Sequence, residues 1–205
     1  MILYLVRHGY SMANQKRLVT GTPKDCLTDA GRDQATRLGN WLSSCGLAPD
    51  HHFVSQWGRA RETAELAFPG RTWTVDPRLG ETDAGAVADL PLQSFLADYP
   101  DFYADPARSY PGGESHFELN QRVLGWLNEL WEAQCNSVLA VTHSGPITCL
   151  LQHVLKMDMS SFPAFVPIHA SLSVVRYQRT DGDWEGRLAG FSLGPCSVVQ
   201  AITHG

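Results

Sequence analysis

Lysine is scarce in this sequence: only Lys16, Lys24 and Lys156 stand against 13 arginines, and the formal net charge is -5. That balance offers no broad basic face, so the expectation is no nucleic-acid partner and no membrane partner. A few converging arginines can still build a local positive pocket for an acidic small molecule. Cysteine is thin as well, with five widely spaced residues and no CxxC pair, which argues against a zinc knuckle or a thioredoxin-like motif. Cys45, Cys135 and Cys149 sit among apolar neighbours and read as core thiols; Cys196 lies near the end. No apolar run approaches the length of a transmembrane helix. Residues 1–6 are too short, and too poor in starting charge, for a signal peptide, so a reducing cytoplasm is the expected compartment. No repeat, low-complexity tract or linker divides the chain, and 205 residues with 43% hydrophobic composition fit one domain, residues 1–205.

What is present begins with Ile2 to Val6, an apolar run of buried-strand length that stops at Arg7, His8 and Gly9. Strand ends of an open α/β sheet are where ligands sit. Arg7 can fork two hydrogen bonds onto a phosphate or carboxylate. His8 can attack phosphorus or carry a proton. Gly9 permits a tight turn or a close approach. A second apolar run, Val138 to Val141, has the continuous pattern of a central parallel strand and ends at Thr142 and His143.

Between and beyond these runs the pattern alternates. Thr28 is placed to cap a helix whose apolar positions recur at spacings of three and four as far as Cys45. Phe53–Val54 reads as a short strand, residues 59–67 as a helix and residues 73–75 as another strand. Arg59 then falls in a first helical turn, where amide donors favour anions, while Arg61 points about 200° away and cannot share its pocket. Residues 86–112 form a lid-like excursion with one helix near 92–99. A helix follows Ser115 as far as about residue 134, another is expected to open with Pro146 in its first position, and residues 172–177 and 188–193 read as late antiparallel strands. Alternation of this kind predicts one α/β three-layer sandwich, a mostly parallel central sheet with helices on both faces. His51–His52 reads as a solvated turn, His116 as a surface residue within reach of a substrate, His153 and His169 as structural, and His204 as part of the tail.

The ordered blocks resemble the histidine phosphatase superfamily, the phosphoglycerate-mutase-like family named for its Arg-His-Gly motif. The matching residues are Arg7-His8-Gly9 with Ser11 and Asn14; Leu27-Thr28 with Gly31, Gln34 and Ala35; and Ser55 with Arg59-Ala60 and Thr63-Ala64. Leu79, Glu81 and Gly85, then Gly112 to Ser115, then Val141 to Gly145 complete the series. The resemblance implies a phosphomonoesterase without metal or cofactor, acting on a small phosphorylated metabolite. It makes His8 the nucleophile, and has Arg7, Arg59 and His143 hold phosphoryl oxygens. Glu81 would donate a proton to the leaving oxygen, favoured over Asp83 by its spacing from Leu79. Asn14 and the Thr20–Gly21 backbone would hold the ester. Tyr10, Trp57 and Ser144 depart from the usual family residues and are expected to reshape the pocket rim, with Tyr10 and Ser144 among the substrate contacts. Two alternatives stand beside hydrolysis: phosphoglycerate-mutase transfer, which the 30 residues between Glu81 and Gly112 disfavour as a short excursion, and a non-catalytic phosphate-binding domain. Monomer and homodimer stay equally open.

Overall fold

A computed structural model describes residues 1–180 and 183–195; Cys196 and His204 lie outside the described residues. The elements run β1 (Ile2–Arg7), α1 (Met12–Gln15), α2 (Asp29–Ser44), β2 (His51–Val54), α3 (Gly58–Ala67) and β3 (Thr74–Val75). They continue as α4 (Leu92–Asp98), α5 (His116–Glu132), β4 (Ser137–Thr142), α6 (Ser144–Val154), β5 (Ser171–Thr180) and β6 (Asp183–Leu193). The six strands form one sheet in the order β3-β2-β4-β1-β5-β6. β3, β2, β4 and β1 are parallel, and β5 and β6 add an antiparallel edge.

Side chains of a strand alternate between its faces, and β4 shows what that does. Val138 and Ala140 join the core beneath α5 and α6, whereas Leu139 and Val141 join the one beneath α2 and α3. β4 therefore needs apolar residues at every position, which is why its run is unbroken. The predicted three-layer sandwich is what forms. The helices capped by Thr28 and by Ser115 start where expected, the latter with a reciprocal Ser115–Glu118 box. The α5 stripe Leu119, Val123, Trp126, Leu127 and Leu130 is buried, each side chain contributing about 1.5–3 kcal/mol.

Several local expectations are corrected. His51 and His52 are not a turn: they begin β2, in register with Val138 and Leu139, and the His52 ring packs on Trp73 at 5.6 Å. A ready partner strand outweighs the weak strand preference of histidine. Cys45 is exposed, because it caps α2 one residue past the end of the helix, while Cys149 is buried as expected. Pro146 is the third residue of α6 rather than its first, tolerated because that amide also lacks a helical partner.

β1 leads on to α2 on one face of the sheet, and β4 leads to α6 on the other. Neighbouring strands whose following helices diverge leave a crevice at their carboxyl ends. Arg7, His8, His143 and Ser144 stand at that crevice. The excursion closes over it with a small core of its own, in which Val87, Phe95, Phe102 and Tyr110 are buried and Val19 and Leu92 pack against them. It is stitched to the loop after α1: Val19 N donates to Leu90 O at 3.0 Å, Gly21 N to Ala88 O at 2.9 Å and Leu92 N to Arg17 O at 2.8 Å. Among the described residues no helix is long and apolar enough to cross a membrane.

Candidate active site

His8 follows directly from β1 and is 1% exposed. Its main chain is fixed on both sides, donating to Thr142 O at 3.0 Å and accepting from Ala170 N at 3.1 Å. Nδ1 lies 2.7 Å from the carbonyl oxygen of Gly9. A carbonyl only accepts, so Nδ1 carries the proton and Nε2 keeps its lone pair. Burial first, then Arg59, His143 and Arg7, hold His8 well below the ordinary histidine range, so the ring is neutral. Gly9 is a close approach: a Cβ there would lie 2.5 Å from Gly31 O.

Arg7 bonds the Pro167 carbonyl through Nη1, and its buried Nε has no partner. Burial, opposed by Glu81, brings its pKa down to about 10, leaving it charged at neutral pH. Arg59, 1% exposed in the first turn of α3, is held from several directions. Nη1 donates to Thr20 O and to Asp25 Oδ2, both at 2.9 Å, and Nε donates to His143 Nδ1 at 3.3 Å. The Trp57 ring lies 4.7 Å beneath the guanidinium. Nη2 enters none of these bonds.

A guanidinium cannot accept, so His143 Nδ1 is the acceptor and Nε2 carries the proton, donated to Ser55 Oγ at 2.8 Å. His143 is fully buried, 4.9 Å from the His8 ring, and is not part of the cavity surface. Through these two bonds it also holds Arg59 in place beside His8.

Glu81 is oriented from its own backbone and from α6. Oε1 accepts from Thr82 N at 3.0 Å and Oε2 from Gly145 N at 3.3 Å. Gly145 permits this, since a Cβ there would collide with Glu81 Oε1. The loop beneath is clamped by Arg122 of α5, which donates to the carbonyls of Arg78 at 2.6 Å, Gly80 at 3.0 Å and Glu81 at 2.9 Å. The same guanidinium forks onto Glu114 at 2.9 and 2.6 Å.

These groups surround a cavity of about 340 Å³. Arg7, His8, Asn14, Thr20, Arg59, Glu81 and Ser144 line it. Asn14 commits Oδ1 to Ser11 at 3.2 and 3.0 Å, which leaves its amide hydrogens uncommitted. Gly21 does not reach the surface, because its amide is tied to Ala88. Tyr10 is also outside, its ring against His169 at 5.3 Å, and Trp57 lies under Arg59, so of the three departures only Ser144 touches the cavity. Asp83 is exposed and caps Gly85 N at 2.9 Å, away from the site.

Sequence reasoning missed Asp25, Arg122 and His169. Asp25 forms a buried ion pair with Arg59, at 2% and 8% side-chain exposure, and also accepts from Ala13 N at 3.0 Å. A buried Arg59 demands such a carboxylate, which was a usable signal. His116, expected at the surface within reach of a substrate, is 7% exposed and lines the cavity; burial brings its pKa down to about 4. His169 stands 5.7 Å from His8, and burial with Arg7 and Arg59 nearby depresses it to about 2. Among the described residues no group of three or more His, Cys, Asp or Glu is placed to hold a metal ion.

The family model of the histidine phosphatase superfamily (branch 1) matches residues 3–188. The chain belongs to that superfamily. It is 29% identical over 186 residues to the probable phosphoglycerate mutase GpmB of Yersinia pestis (strain Pestoides F), covering 87% of this chain and 86% of that protein. A mycobacterial glucosyl-3-phosphoglycerate phosphatase solved with VO3 aligns with TM-score 0.80 and 27% identity, over 94% of this chain and 99% of that one. A putative alpha-ribazole-5'-P phosphatase from Escherichia coli str. K-12 substr. MG1655 aligns with TM-score 0.78 and 26% identity, over 92% and 95%. As a histidine phosphatase superfamily member the chain is a phosphoryl-handling enzyme, in company that includes both phosphatases and mutases.

Proposed function

We propose that this histidine phosphatase is a metal-independent phosphomonoesterase of broad-specificity type, hydrolysing a small phosphorylated metabolite through a phosphohistidine at His8. The observation that carries the reading is the Nδ1–H bond to Gly9 O, which leaves Nε2 of a neutral, buried His8 as the free lone pair in a cavity lined by two guanidiniums. Nε2 attacks phosphorus as the bond to the ester oxygen breaks, and Arg7 and Arg59 stabilise charge on the equatorial oxygens. Glu81 in its acid form gives a proton to the departing alkoxide, which is otherwise a poor leaving group. The resulting carboxylate then takes a proton from water while the water oxygen displaces His8 from phosphorus. The products are alcohol, inorganic phosphate and the starting imidazole. Asn14, Thr20 and Ser144 orient the ester, and His143, Asp25 and Trp57 orient Arg59.

The mutase reading is favoured by the names of the GpmB relatives. A mutase must hold a second anionic group while the phosphoryl is returned. Among the described residues the cavity has no Arg or Lys beyond Arg7 and Arg59, which supports transfer to water. The test is phosphate release from p-nitrophenyl phosphate in EDTA, with rapid-quench capture of an acid-labile adduct. Undiminished turnover with the label on His8 is expected. Loss of activity in chelator, or an unlabelled His8, would overturn the reading.

A further inference from the structure

The cavity is divided by chemistry. Its cations, Arg7 and Arg59, stand with His8 at the strand ends, and Glu81 is the carboxylate beside them. Away from that floor the surface is made by Leu18, Val19, Leu92, Tyr103, Phe162 and Pro163. His116 and Tyr110 join it, and the further polar side chains of the cavity, Asn14, Thr20, Thr82 and Ser144, carry no charge. The rings form one connected group: Phe162 lies 4.6 Å from His116, which stacks on Tyr103 at 5.9 Å and 11°. Tyr110 Oη lies 3.1 Å from Tyr103 Oη, so part of the phenol capacity is used internally.

Resting on the phosphomonoesterase reading, we infer that the alcohol released is uncharged and predominantly apolar, a ring-bearing or aliphatic alcohol rather than a phosphoglycerate or a bisphosphorylated compound. A leaving group with a carboxylate would lose water against Leu92 and Phe162 with no cation beside it to replace that water. His116 does not compensate, since burial keeps its ring neutral at physiological pH. An apolar leaving group gains from the same surface by leaving water. The aromatic faces add stacking for a planar group.

The test compares 2-phenylethyl phosphate, glycerol 1-phosphate and 3-phosphoglycerate, all esters of primary alcohols, so the breaking bond is similar in each. kcat/KM is expected to fall in that order, with about 100-fold or more between the first and the last. Leu92→Arg places a cation in the wall and is expected to raise kcat/KM for 3-phosphoglycerate about 10-fold while lowering that for 2-phenylethyl phosphate. Equal or faster turnover of 3-phosphoglycerate by the native enzyme overturns the inference while leaving the phosphatase reading standing. Should no ester turn over, the phosphatase reading fails. Calorimetry with 2-phenylethylphosphonate and 3-phosphonopropionate then decides the cavity's preference on its own, tighter binding of the carboxylate overturning it. If Leu92→Arg does not fold, the ratio measured on the native enzyme decides.

Discussion

The floor and the wall of one cavity are built on opposite plans. At the floor, backbone and side chains converge on a few polar atoms: Gly9 O on His8, Asp25 and Thr20 on Arg59, Ser55 on His143. In the wall, Leu18, Leu92 and Phe162 make contacts that have no direction. The floor stands on the ends of β1 and β4 at the centre of the sheet, whereas most of the wall is loop and excursion. Positions that must be held to a few tenths of an ångström for chemistry sit on rigid elements, and positions that choose the substrate sit on adaptable ones. A substitution at the floor should therefore change rate on every ester, and one in the wall should change the order of esters.

The sharpest way to break this contrast is His8→Ala, expected to lower kcat by roughly 10⁴-fold or more on any ester; near-normal turnover would remove the nucleophile from the scheme. Arg59→Met keeps bulk but loses the charge, and should cost 10²–10³-fold in kcat/KM, roughly, whatever the leaving group. Asp25 would then be left buried without its cation, so thermal melts should accompany the kinetics. Glu81→Gln should discriminate: a loss of about 100-fold on 2-phenylethyl phosphate, and under about 10-fold on p-nitrophenyl phosphate, whose phenolate leaves without help. Equal losses would take the proton-donor role from Glu81. Arg122→Met, through the loop it clamps, should lower kcat on alkyl esters about 10-fold with KM unchanged and p-nitrophenyl phosphate nearly unaffected.

A separate effect, outside the kinetics, is on stability. His116 at about 4 and His169 at about 2 are depressed in the fold, so the unfolded chain binds more protons once pH drops below the ordinary histidine value. Stability is therefore full above about pH 6.5 and falls below it, by up to about 1.4 kcal/mol per pH unit for each such group, until its folded pKa is passed. Urea midpoints at pH 7 and pH 5 measure this, and His116→Gln should flatten the drop.

The same division explains what the sequence made legible. β4 announced itself because burial on both faces requires an unbroken apolar run, and α2 and α5 because capping residues precede a periodic stripe. His8, Arg59 and Glu81 were found because each belongs to a short local block. Asp25, Arg122 and His169 were not, because each acts on a residue dozens of positions away and has no pattern of its own. The burial of His116 was not foreseen because the first turn of α5 is covered by Phe162, which only the folded chain brings there. Part of the wall was anticipated, since Leu92, Tyr103 and Tyr110 belong to the excursion expected over the sheet, whereas Leu18 and Phe162, which share no motif with it, were out of reach.

The acceptor that seats the proton on His8 is main chain, so no side-chain replacement elsewhere can delete it. Replacements in the wall can therefore alter what fits the cavity while the ring of His8 keeps its tautomer.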